Sequence, residues 1–132
     1  MPTINGVLET TLYVENVERS ATFYGETLGF HVVDSSDRLV AMKIAEKQIL
    51  LLCTKGGVTS DEPIAQHHGE GRFHLALAIP ANEYGSWRDA LTGKGVAIEV
   101  EHDWPLGGRS LYFRDPDGHL VELATPGVWT IY

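Results

Sequence analysis

Alternation opens the chain. In Val7-Leu-Glu-Thr-Thr-Leu-Tyr-Val14, the residues Leu8, Thr10, Leu12 and Val14 share one face of an extended segment. Val7, Glu9, Thr11 and Tyr13 share the other. The period then lengthens. Val17, Ala21, Tyr24 and Leu28 recur at i, i+4, i+7 and i+11, the stripe of an amphipathic helix. Asn16 precedes it as a cap, and Gly29 follows where a left-handed closing residue belongs. Segments 30–34, 39–45 and 48–54 read as three further strands, with Ser35-Ser36-Asp37 and Glu46-Lys47 as the turns between them.

The second half repeats this order. Over 73–79, Phe73, Leu75, Leu77 and Ile79 lie on one face and His74, Ala76 and Ala78 on the other; Pro80 ends the strand. Tyr84, Trp87 and Leu91 mark a second helix, closed by Gly93-Lys94-Gly95, and strands follow at 96–101, 109–113 and 119–124. Gly29-Phe30 and Gly95-Val96 hold matching places about 66 residues apart. The expectation is one domain over 1–132. Module 1 covers about 5–55, a Gly-rich polar linker 56–70, module 2 about 71–125, and an aromatic tail 126–132 that packs on its own module or on a second subunit.

Length and composition narrow the class. The chain has 132 residues, one domain's worth. No apolar run approaches the ~18 residues of a membrane span, and no signal peptide opens the chain. Cys53 stands alone, so no intrachain disulfide forms and a reducing, cytoplasmic setting is expected. The net charge of −8, with Lys and Arg spread thinly, speaks against a nucleic-acid surface.

The candidate chemistry sits on strands. Asp115-Pro116-Asp117-Gly118 has type I turn chemistry, and the strand after it puts Leu120, Glu122 and Ala124 on one face. A carboxylate among apolar neighbours requires a metal, a hydrogen-bond network or solvent in a cavity. Glu9, His74 and Glu122 each occupy mid-strand positions opposite their strand's bulkier apolar residues. Gathered in one concavity, they offer three ligands and an open position to Mn²⁺, Fe²⁺, Ni²⁺, Zn²⁺ or Mg²⁺. Glu9 or Glu122 can alternatively serve as a general base. Thr11, Tyr13, Ser110 and Tyr112 are placed to orient a substrate, and Arg109 and Arg114 to meet an anionic group. His67-His68 falls in the linker. The turn is not a calcium loop, because its glycine and terminal acid are misplaced. Zinc-protease, serine-hydrolase, P-loop and dinucleotide fingerprints are missing from the sequence.

Leu12-Tyr-Val-Glu-Asn-Val-Glu-Arg-Ser-Ala-Thr-Phe-Tyr24, Leu28-Gly29-Phe30, Phe73-His74-Leu75-Ala76 and Tyr112-Phe-Arg-Asp-Pro-Asp-Gly-His-Leu-Val-Glu-Leu123 together resemble the vicinal oxygen chelate superfamily. That group includes glyoxalase I, bleomycin-resistance proteins, fosfomycin-resistance enzymes and extradiol dioxygenases. The resemblance implies an α+β, glyoxalase-like fold: two βαβββ modules forming an eight-stranded curled mixed sheet around a cavity, in a homodimer. It also implies a divalent metal held by Glu9, His74 and Glu122 that chelates adjacent oxygens of a small-molecule substrate. Two positions depart from the family pattern. Glu9 stands where His or Gln is common, which weighs against extradiol cleavage. Leu51 aligns with Glu122 where glyoxalase I-like members carry a fourth ligand, which weighs against that lyase. A lyase, isomerase, hydrolase or transferase with a three-ligand site is the expectation. The alternative is a metal-free, bleomycin-type drug-sequestering protein.

Overall fold

The structure, a computed structural model, describes residues 1–56 and 65–132. The stretch 57–64 of the expected linker lies outside the described residues. Two compact units, Met1–Gly71 and Arg72–Tyr132, divide the chain, and each runs β-α-β-β-β.

The first unit contains β1 (Glu9–Val14), α1 (Val17–Leu28), β2 (His31–Ser35), β3 (Leu39–Ala45) and β4 (Gln48–Thr54). Its sheet order is β1-β4-β3-β2, with β1 parallel to β4 and the other pairs antiparallel. Asn16 caps α1: its side-chain oxygen accepts from the Arg19 N–H at 2.9 Å. Gly29 closes the helix at φ +76, where a Cβ would be strained. The stripe read from the sequence faces inward, with Val17, Tyr24 and Leu28 buried, and Tyr24 stacks on Phe30 while Leu12, Met42, Leu50 and Leu52 are buried in the same unit. Each such fully buried side chain contributes about 1.5–3 kcal/mol. β1 starts two residues later than the alternation predicts. Its first register partner in β4 is Ile49, opposite Glu9; the Leu8 carbonyl still accepts from the Ile49 N–H at 2.9 Å, while the Val7 and Leu8 side chains stay exposed.

The second unit contains β5 (His74–Ala78), a 3₁₀ turn (Ala81–Glu83), α2 (Tyr84–Gly93), β6 (Val100–Asp103), β7 (Arg109–Arg114) and β8 (Leu120–Ala124). Its order, β5-β8-β7-β6, repeats that of the first unit, again with a parallel first pair. Ile79, Tyr84, Leu91, Leu111, Phe113, Val121 and Leu123 form its core. The 115–118 turn closes as expected: the Gly118 N–H donates to the Asp115 carbonyl at 3.0 Å, and the Asp115 carboxylate accepts from the Asp117 and His119 N–H groups. The strand expected at 96–101 begins instead at Val100. The Val96 N–H is committed to the Leu91 carbonyl at the end of α2, so the chain must leave the helix before it can pair. The architecture is α+β, two βαβββ modules with a four-stranded mixed sheet in each.

Candidate active site

The second unit gathers its polar chemistry around Glu122. Alternation on β8 puts this residue on the same face as Ala124, and β7 delivers Tyr112 directly opposite it. Glu122 is 6% exposed. Its Oε1 accepts from the Ser110 hydroxyl at 2.5 Å and from the Tyr112 hydroxyl at 3.0 Å. Ser110 in turn accepts the Trp104 indole N–H at 2.8 Å, which orients its own hydroxyl proton toward the carboxylate. Of the three partners open to a carboxylate among apolar neighbours, the hydrogen-bond network is present. No buried side-chain nitrogen or oxygen among the described residues lacks a partner.

His74, at the start of β5, faces the other carboxylate oxygen. Its Nδ1 lies 3.0 Å from the Leu120 carbonyl and its Nε2 lies 3.1 Å from Glu122 Oε2. A carbonyl only accepts, so Nδ1 carries a proton. A neutral ring then turns the Nε2 lone pair toward a carboxylate oxygen, and two electron-pair donors at that distance require a shared cation, either a proton or a metal. An imidazole nitrogen and a carboxylate oxygen are both ordinary ligands of a divalent ion, so the donor set fits such an ion in kind. Burial, followed by the bond to Glu122, raises the Tyr112 hydroxyl above its ordinary range, so at neutral pH it remains a donor.

A cavity of about 580 Å³ opens beside this pair. His74, Tyr112 and Glu122 form its polar end; Ala76, Ala78 and Ala124 form a floor of small side chains. Trp104 and the tail residues Val128, Trp129, Ile131 and Tyr132 complete the wall. The tail thus packs on its own module. The aromatic composition of the tail, and not any period, points to its packing; Trp104 and the tail reach this wall from irregular segments.

Of the other expected residues, Glu9, Thr11 and Tyr13 belong to the first unit and Arg109 and Arg114 to the second. Glu9 is exposed at the start of β1, opposite Ile49. Thr11 sits two residues on, opposite Leu51. The Tyr13 hydroxyl meets His67 Nδ1, with the two rings edge to face, and burial raises this hydroxyl too. Arg109 lies on the opposite side of β7 from Ser110. Its guanidinium bonds Asp103 at 2.7 Å and rests 4.2 Å over the Tyr84 ring, and it does not line the cavity. Arg114 is paired with Glu99. Cys53 is buried, and burial together with Glu9 pushes its thiol up. Among the described residues, no group of three or more His, Cys, Asp or Glu side chains comes together as a metal cluster.

Register compares the two modules residue by residue. Glu9 pairs with Ile49 as His74 pairs with Leu120, and Thr11 pairs with Leu51 as Ala76 pairs with Glu122. Leu39, Ala41 and Leu51 therefore hold the places of Ser110, Tyr112 and Glu122. Among the described residues, these three register positions are polar in the second module and apolar in the first.

Residues 6–123 match the family model described as Glyoxalase/Bleomycin resistance protein/Dioxygenase superfamily. The chain belongs to this superfamily. Among superfamily relatives, it is 29% identical over 113 residues to catechol-2,3-dioxygenase of Bacillus subtilis. That match covers 85% of this chain but spans only 38% of the dioxygenase's length. It is 28% identical over 134 residues to metallothiol transferase FosB of Shouchella clausii, covering 92% of this chain and 81% of the transferase. In three dimensions it resembles the crystal structure of lactoylglutathione lyase from Agrobacterium tumefaciens, with TM-score 0.91 and 27% identity over 98% of this chain and 99% of the lyase.

Proposed function

We propose that this superfamily member is a small metalloenzyme that binds a substrate through two adjacent oxygens and stabilises the oxyanion or enolate that develops on them. The observation that carries the reading is the facing of His74 Nε2 and Glu122 Oε2, with Nδ1 committed to a carbonyl. His74 and Glu122 would hold the divalent ion. Glu9, at the matching register position of the first module, is the candidate third ligand. When bound, the ion supplies Lewis-acid polarisation of the substrate oxygens. The chain's own residues do the rest. Ser110 and Tyr112 fix one oxygen of Glu122 and leave the other for ligation, and the apolar walls limit water beside the reacting oxygens. The name of one relative, a metallothiol transferase, supports a metal in this fold. Mn, Fe, Ni, Zn and Mg all suit the donors, and lyase, isomerase, hydrolase and transferase chemistry all accord with them.

Elemental analysis of protein purified without chelator, followed by Mn²⁺ titration, tests the proposal. The expected result is about one ion per chain, lost in His74→Ala and Glu122→Ala and weakened in Glu9→Ala. Metal-free wild-type protein that ignores Mn²⁺ and binds a cationic drug at micromolar concentration would instead establish sequestration.

A further inference from the structure

We propose that the C-terminal segment builds a ring-binding subsite, so that the substrate carries a flat apolar group beside its two chelating oxygens. The chelating half of this statement rests on the proposed function; the apolar half stands on the tail.

That tail is pinned at both ends. At its start, Gly127 approaches Gly108 so closely that a Cβ on Gly108 would lie 2.4 Å from the Gly127 carbonyl carbon. At its end, the Tyr132 hydroxyl donates toward the Ile79 and Ala124 carbonyls at 3.1 and 3.3 Å. Between them, the Gly127 N–H bonds the Tyr132 carbonyl, and the Tyr132 N–H bonds the Trp129 carbonyl. Trp129 is thereby presented to the cavity on a fixed loop while remaining 70% exposed. A large apolar side chain held open in this way loses the benefit of burial unless something covers it.

The floor opposite is cut back to Ala76, Ala78 and Ala124. Apolar cavities of ~150 Å³ already admit a benzene ring. The 580 Å³ here therefore holds a ring and a polar head together. The gradient from Glu122, His74 and Tyr112 at one end to Trp129 and the alanines at the other sets the order, with oxygens toward the carboxylate and the ring toward the tail.

Calorimetric titration with probes that differ only in the apolar group decides this. Mandelate and lactate share adjacent carboxylate and hydroxyl oxygens, one bearing phenyl and the other methyl. Mn²⁺-loaded protein should bind mandelate roughly tenfold or more tightly than lactate. Trp129→Ala and Ala78→Leu should each reduce that ratio to below about threefold while Mn²⁺ affinity is kept. Ala78 is exposed on the cavity floor, so its replacement fills space without entering the core. EDTA-treated protein should still prefer acetophenone to acetone. If no Mn²⁺ binds but this last preference survives and falls in Trp129→Ala, the subsite stands and the metal reading alone fails. Equal binding of the paired probes in the wild type overturns the subsite. So does a ratio indifferent to both substitutions, or a Trp129→Ala effect seen only as a change of oligomeric state.

Discussion

Ser110→Ala is the most direct probe of how Glu122 is held. Ser110 is fully buried, and its hydroxyl sits between two partners, donating to the Glu122 carboxylate at 2.5 Å and accepting from the Trp104 indole at 2.8 Å. A hydrogen bond to a charged group contributes about 1.5–3 kcal/mol, and an indole N–H stripped of its acceptor adds about 1 kcal/mol more. The expected loss is therefore roughly 2.5–4 kcal/mol, a large share of the ~5–15 kcal/mol that stabilises a typical domain. Urea unfolding followed by circular dichroism, with an unchanged m value, measures it. Trp104→Phe in the same background removes the stranded donor, so the double variant should recover about 1 kcal/mol relative to additivity. The Mn²⁺ affinity of Ser110→Ala should fall by about 10–100-fold, because the carboxylate is no longer oriented. A variant within about 0.5 kcal/mol of wild type, with additive behaviour toward Trp104→Phe, would refute the chain of contacts as an energetic unit.

Two further expectations follow from other parts of the molecule. Tyr84 is pushed up to about 12, first by burial and then by its hydrogen bond to Glu101. Its folded value thus lies above the ordinary phenol value near 10, and the stability this gives is fully present below pH ~10 and is lost as pH rises through 12. Tyrosinate absorbance should show a late-ionising component that shrinks by one phenol in Tyr84→Phe; a titration unchanged by that substitution would contradict the assignment. Gly108→Ala places a methyl group 2.4 Å from the Gly127 backbone. It should detach the tail, seen as faster proteolysis after residue 125 with the far-ultraviolet spectrum retained; protease resistance equal to wild type would rule out the pin.

What the sequence made legible was whatever obeys a period or a local rule. Asn16 and Gly29 announced the ends of α1 because capping depends on a few adjacent groups. Alternation put His74, Ala76 and Ala78 on one face, whereas the pairing of Tyr112 opposite Glu122 is set by the β7–β8 register. The start of β6 was not legible, because it is set by a tertiary commitment, the Val96 N–H to the Leu91 carbonyl, that no window of residues reveals. Trp104 lies in a turn without periodicity, and its bond to Ser110 depends on how the β6–β7 connection folds back. The same holds for the tail, whose place is fixed by a glycine-on-glycine contact. Arg109 illustrates a different limit: charge suggested an anion partner, whereas strand parity sends it to Asp103 and the Tyr84 ring.

Leu39, Ala41 and Leu51, standing where the other module has Ser110, Tyr112 and Glu122, carry a lesson about duplicated folds. Two copies of one backbone in a chain can carry different side chains at the same register, polar in one and easily packed in the other. The same backbone register thus offers Leu39, Ala41 and Leu51 as a second set of positions open to substitution without touching Ser110, Tyr112 or Glu122.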